Sequence, residues 1–221
     1  MSRIRRFVVL GAVLVVVLIG GAFAAFALRG GDAPPPPTLS DDEAAATATP
    51  ADATTDYEVA ARDDRFVGYR VREEFIGIGV KDAVGRTPDV SGTATVESDA
   101  ITAAELEADL TTLTSDDGRR DNALRDRGIE SAQFPDARFV LTEPVELARP
   151  RTASRGRLTL HGETRPIDVR LSSQRVGEEI ELVGSAPIEF ARFGIEPPSV
   201  VGFVTVEGEG ALEFKLRLAP R

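Results

Sequence analysis

Few side chains able to do chemistry occur in this chain, and they are scattered. There is one histidine, His161, and no cysteine. A catalytic imidazole needs an orienting carboxylate and a nucleophile beside it, and the sequence shows neither around His161. His161-Gly162 falls between two alternating runs, where it either caps a hairpin or touches a ligand's polar head. An arginine fork matches the geometry of a phosphate. Arg120, next to Asp121, and Arg192 are therefore candidates to grip an anionic headgroup. The competing reading of each is a local ion pair that pins a short helix to the rest of the fold. Asp116-Asp117-Gly118 lacks the longer ligand series of a calcium loop and reads as a solvated turn. The acidic pairs Glu73-Glu74 and Glu178-Glu179 are too ordinary on an acidic surface to nominate a glycosidase.

These absences exclude whole classes. Without cysteine there is no disulfide, no thiolate nucleophile, no thiolate-bound zinc and no iron–sulfur cluster. A single histidine excludes a multi-histidine metal site. Neither a metal nor a cofactor is expected. The net charge of −10 over 221 residues argues against a nucleic-acid partner, which calls for a basic stripe.

The elements that would position such residues fall into three parts. Phe7 to Leu28 is an uncharged apolar run, about 33 Å long as a helix and so sufficient for a bilayer core. Arg3, Arg5 and Arg6 precede it, which puts the N-terminus in the cytoplasm and everything after Leu28 outside. The expectation is an uncleaved single-pass anchor over 1–28. Ala25-Phe26-Ala27 offers a signal-peptide cleavage site, in which case the rest is secreted. Residues 29–56, with Pro34 to Pro37 and then Ala, Thr, Asp and Pro, hold almost no bulky apolar residue, and a disordered spacer is expected there.

Residues 57–221 form the third part, where a period of two dominates. Leu212-Glu-Phe214-Lys-Leu216-Arg-Leu218, Ile167-Asp-Val169-Arg-Leu171 and Val67-Gly-Tyr69-Arg-Val71 each alternate. Such runs are strands with one buried and one wet face. Turn residues at Pro150, Gly162, Gly177 and Gly208 separate them. An all-β, antiparallel up-and-down barrel is predicted, with one short helix or loop over 116–126. Thr102-Ala-Ala-Glu105 could cap a helix, yet Leu106, Ala108 and Leu110 alternate as in a strand.

Four motifs occur in order: Arg120-Asp121-Asn-Ala-Leu124; Phe134-Pro135; Gly156-Arg-Leu-Thr-Leu-His161-Gly162-Glu-Thr-Arg-Pro166; and Ala191-Arg192-Phe193-Gly194-Ile195. Together they resemble the YceI-like family of bacterial periplasmic and secreted proteins, over about 57–218. The resemblance implies a lipocalin-like barrel whose apolar lumen holds a polyisoprenoid or similar lipid, and it tips 104–113 toward a strand. It also allows a homodimer. The first hairpin departs from the family pattern, with Arg62-Asp-Asp-Arg65 and Glu73-Glu74-Phe75 where members often carry Ser and His.

If alternation holds, Val67, Tyr69, Val71, Phe75, Phe139, Leu141, Leu158, Leu160, Val169, Leu171, Leu182, Phe190, Phe214 and Leu216 point inward. From the residues alone, a lumen filled by these side chains and one left open are equally consistent; the resemblance favours the open one. The leading expectation is a membrane-tethered extracytoplasmic lipid-binding domain with Arg120, His161 and Arg192 near the headgroup. The alternative is a non-catalytic protein–protein interaction module with a filled barrel. An isomerase or hydrolase is the third reading, and no residue carries it.

Overall fold

The computed structural model describes residues 33–41, 54–147, 151–197 and 204–221. The strands are β1 (Thr54–Val59), β2 (Phe66–Phe75), β3 (Gly79–Thr87), β4 (Val90–Glu97), β5 (Ala100–Asp109), β6 (Thr114–Ser115), β7 (Asp136–Leu141), β8 (Val145–Glu146), β9 (Thr152–Leu160), β10 (Glu163–Val176), β11 (Glu179–Glu189) and β12 (Val204–Pro220). One helix, α1 (Gly118–Arg127), lies between β6 and β7, and a short helical turn spans Phe190–Phe193. Asp117 caps α1 by accepting from the Arg119 amide, and Arg125 and Arg127 sit in its last turn, where they suit the helix dipole.

All pairings are antiparallel, and they reduce to eight staves. β1 and β2 lie end to end along one edge of β12, with Val59 opposite Leu218 and Phe66 opposite Lys215. β3 and β4 continue one another across Pro88-Asp89, pairing with β2 and β1 respectively. β5 and β6 form the third stave, β7 with β8 the fourth, and β9 to β12 the remaining four. Each stave pairs with its neighbour in sequence, and β12 closes the ring onto the first. This is the up-and-down barrel expected, with 100–109 a strand rather than a helix. Closure removes the free edges an open sheet would expose.

The two ends differ. At one end the turns at 97–100 and 176–179 cover a plug of Tyr57, Val96, Ile101, Val145, Ile180 and Leu218, all at most 4% exposed. At the other end stand the β2–β3 hairpin, α1, the β9–β10 turn and the Phe190–Phe193 turn, which together form a lid. The β9–β10 turn has two central residues, His161 and Gly162, both at positive φ (52° and 74°). That geometry matches the strand twist, and Gly adopts it without strain.

Residues 1–32 lie outside the described residues, and with them the expected anchor; no helix among the described residues is long and apolar enough to cross a membrane. The expectation of a structureless spacer over 29–56 needs correction at two places. Thr54–Asp56 already belong to β1, paired with Thr95–Glu97. Residues 33–41 lie as an extended strap across the outer face of β3, β2, β12 and β11. The Pro34 carbonyl accepts from Arg70 Nη2 at 2.7 Å, and that of Pro35 from Arg86 Nη2 at 3.4 Å. At the far end the Ser40 amide and hydroxyl donate to the Glu181 carboxylate at 3.1 and 2.8 Å. Glu181 is fully buried beneath the strap, where Gln174 donates to it at 2.6 Å and Lys215 Nζ stands 3.3 Å away. A proline-rich chain has no internal hydrogen bonds, so its carbonyls are free to accept from the barrel. These partners, Arg70, Arg86 and Glu181, lie between 36 and 141 residues away in sequence, and no local pattern announces them.

Burial pushes the Glu181 carboxyl up, but the hydrogen bonds from Ser40, Gln174 and Lys215 outweigh it and hold the group below its ordinary value of 4.5. Its contribution to stability is therefore complete above that value and is lost as pH falls through the lowered folded one. Lys215 is disfavoured by burial, yet Asp64 and Glu181 raise it above its ordinary 10.5, so its contribution is lost only on the alkaline side. Protection of the Ser40 amide against hydrogen exchange should persist as pH falls through the ordinary carboxyl value of 4.5 and be lost only below it. Glu181→Gln should remove that acid dependence; an unchanged acid limb in the variant would show that another group holds the strap.

Candidate functional site

The barrel interior is the candidate site. Alternation directs inward the even residues of 212–218 in β12, 154–160 in β9 and 182–188 in β11, and the odd residues of 67–71 in β2, 137–141 in β7 and 167–171 in β10. Two chambers result. The inner one, about 110 Å³, runs toward the plug and is lined among others by Phe139, Leu158, Val169, Leu182 and Phe214. The second, about 100 Å³, lies under the lid and is lined by Tyr69, Leu124, Ile129, Leu160 and Phe190. They meet at Val67, Ala137 and Leu212, which line both. Apart from Ser154, the inward side chains of the inner chamber are apolar, Glu107 of β5 being exposed on the outer face; the second has only the Tyr69 hydroxyl. Among the described residues that hydroxyl makes no hydrogen bond of good geometry, and burial pushes its pKa up, a trend Ser115 only partly offsets.

All the apolar residues expected to face the lumen line one chamber or the other, except Phe75. Phe75 is buried but lies beyond the chambers, at the tip of β2 beside Gly79 and Val204. Its stave has by then run past the lumen into the hairpin.

The lumen stays open because its large rings lie against the wall instead of across it. Tyr69 covers Gly85, Phe139 covers Gly156, and Phe214 covers Gly184 on neighbouring strands. A Cβ at any of these glycines would stand within 2.6 Å of the ring: 2.4 Å from Tyr69, 2.2 Å from Phe139 and 2.5 Å from Phe214. Sequence reasoning found the rings and missed the glycines. The available signal was a glycine at inward parity in a strand, which marks a close approach.

The polar candidates are lid fasteners. Arg120 reaches from α1 to Glu73, donating through Nε to Oε1 at 3.1 Å and through Nη2 to Oε2 at 3.0 Å. Its Nη1 donates to Asp116 and to the Ser115 hydroxyl. Burial opposes its charge, but Glu73 overcomes this and the guanidinium is held more firmly protonated than usual. Asp121 does not pair with Arg120; it accepts from the Ser115 amide and hydroxyl. Glu73 is buried. It sits at the same inward parity as Tyr69 and Val71, and that parity was the overlooked sign that it is no ordinary surface acid.

His161 bonds on both sides. Nδ1 lies 3.0 Å from the Phe193 carbonyl and Nε2 lies 2.7 Å from Glu130 Oε2. Its ring packs on Phe134 with centroids 4.4 Å apart. One side chain thus ties the β9–β10 turn to the loop after α1 and to the Phe190–Phe193 turn. Of the residues expected near a headgroup, Arg120 and His161 direct their hydrogen bonds to the protein, and neither lines one of the two chambers. Arg192 is exposed on the outside, where its carbonyl accepts from Arg165.

Three variants test this. Gly85→Ala, whose Cβ would meet only the Tyr69 ring, should tip that ring into the chamber under the lid, abolish uptake of an apolar probe there and cost about 1–3 kcal/mol in denaturant unfolding. Glu73→Ala should cost about 3 kcal/mol by stranding Arg120, while Glu73→Leu with Arg120→Met should recover most of it. Equal losses in the single and double variants would show that the pair does not fasten the lid.

Comparison with known proteins agrees with this architecture. Residues 57–218 match the model of the YceI-like domain family. A UPF0312 protein of Vibrio cholerae is 26% identical over 115 residues, which make up 49% of this chain and 61% of that protein. The chain thus spans about three fifths of the length of that curated relative. Among solved structures, a polyisoprenoid-binding domain from Saccharophagus degradans, implicated in plant cell wall breakdown, superposes with TM-score 0.56 at 19% identity, covering 75% of this chain and 98% of that one. Burkholderia cenocepacia BcnA superposes with TM-score 0.56 at 15% identity, covering 68% and 95%. Four motifs in order, an eight-stave meander barrel with a helix between its third and fourth staves, and a family match over most of the length establish that this chain belongs to the YceI-like family.

Proposed function

We propose that this protein is an extracytoplasmic, membrane-tethered lipid-binding domain whose lumen holds a polyisoprenoid or similar long-chain lipid. The observation that carries the reading is the pair of adjacent apolar chambers, kept open by rings laid over glycines. A lumen filled by side chains, as an interaction module would have, leaves no such space. An engineered apolar cavity of about 150 Å³ takes up benzene. Chambers of about 110 and 100 Å³ therefore suit branched five-carbon units, one behind another. Transfer of each methylene from water contributes about 0.8 kcal/mol, so affinity grows with the length of chain inside and no catalytic group is called for. A chain longer than the two chambers leaves through the lid. The polyisoprenoid-binding neighbour shares the fold and supports the same ligand class. The run from Phe7 to Leu28, with arginines before it, supports a tether with the barrel outside the cytoplasm.

The test is native mass spectrometry of a chain beginning at Ala33, which retains the strap and every strand, purified without detergent. A bound mass released by organic extraction as an isoprenoid or fatty species is the expected result. A bare polypeptide mass, with no uptake of an added polyprenol, would move the function to protein–protein interaction.

A further inference from the structure

The β2–β3 hairpin ends in an apolar finger. Ile76, Ile78 and Val80 are 58%, 40% and 56% exposed, the exposed large hydrophobics among the described residues. The finger is a tight turn, closed by the Ile78 amide donating to the Phe75 carbonyl at 3.0 Å. It projects from the lid end, beside α1 and the chamber beneath it. The opposite end presents Glu97, Ser98, Asp99 and Glu178, all exposed. One end of the barrel is thus tipped with isoleucine and valine and the other with carboxylates.

The strap runs between these ends in a defined direction. Ala33 and Pro34 lie beside Asp82, Thr114 and Asp116, toward the lid, whereas Ser40 is fixed at Glu181 and Gln174, toward the plug. The chain therefore reaches the barrel at its lid end. Ala33 is five positions after Leu28, the last residue of the apolar run, a reach of at most about 17 Å. Gly79, where the finger joins β3, is three residues up the strand from Asp82, roughly 10 Å. That reach is enough for the end of the apolar run to meet the level of the finger tip.

We propose that the barrel rests lid end first on the bilayer that holds residues 7–28, with Ile76, Ile78 and Val80 inserted among the lipids and the strap fixing that orientation. This inference rests on the tether proposed above. Its consequence is that the chamber under the lid opens toward the membrane, so that an apolar chain passes from bilayer to lumen without crossing bulk water. Without the strap, a flexible spacer would leave the barrel free to tumble.

The chain contains no cysteine, so Ile78→Cys and Glu178→Cys each create one site for an environment-sensitive fluorophore. The full-length variants are reconstituted in phosphatidylcholine–phosphatidylglycerol vesicles, with or without lipids brominated near the acyl–headgroup boundary. The expected result is a blue-shifted emission at position 78, roughly halved by the brominated lipid, and a water-like, unquenched emission at 178. Replacing Pro34 to Pro37 by serine together with Ser40→Ala should leave the chain in the vesicles and largely abolish the difference between the two positions. A water-like emission at 78 in a chain that floats with the vesicles and resists alkaline extraction overturns the inference and leaves the tether standing. A blue-shifted emission that brominated lipid does not quench overturns it in favour of a second copy of the chain covering the finger. A chain that neither floats nor resists extraction overturns tether and orientation together. Strap variants that keep the full difference show that the strap does not orient the barrel.

Discussion

An eight-stave barrel has a fixed girth, just wide enough to be filled by its own side chains or to hold one slender ligand. Which of the two occurs depends on how the inward rings are packed. In this protein Tyr69, Phe139 and Phe214 are each accommodated by a glycine on the next strand, so each ring lies along the wall. A glycine interior to a strand costs conformational entropy and packs poorly by itself. Here the ring supplies the missing packing, and the strand remains sound while the axis of the barrel stays clear. The plug at one end, the chambers, and the need for a lid at the other all follow from that arrangement.

The lid is fastened by polar groups because apolar ones alone would not fix its register. α1 presents no buried side chain of its own, so a specific contact must hold it. Arg120 and Glu73 provide one, and His161 bridging Glu130 and the Phe193 carbonyl provides another. Buried charges are costly unless paired with good geometry, which makes each contact selective for one placement. The family motifs that caught attention in the sequence, Arg-Asp-x-x-Leu and His-Gly, thus serve closure of the lumen.

The outer face follows the same logic at the strap. Glu181 occupies the wet parity of β11 and would ordinarily be solvated. Covered by residues 33–41, it is fully buried, and it is satisfied by Ser40, Gln174 and Lys215. Leu39 is the strap's one large aliphatic side chain, and the strap's hydrogen bonds to the barrel come from its own backbone and one hydroxyl.

Period-two alternation was enough to determine the all-β antiparallel class and the inward face of nearly every strand, because side-chain direction in a strand is a local property of the backbone; that the strands close into a lipocalin-like barrel came with the ordered motifs. The ordered motifs determined the family for the same reason: they are linear. Three things were left to the tertiary structure. Whether the lumen is filled or open depended on Gly85, Gly156 and Gly184 standing opposite particular rings across strand pairs. The roles of Arg120 and His161 depended on Glu73 and Glu130, separated from them in sequence by 47 and 31 residues. The order of residues 33–41 depended on a carboxylate 141 residues away. In each case the deciding contact joins distant segments whose register only barrel closure sets, so no local pattern could carry it.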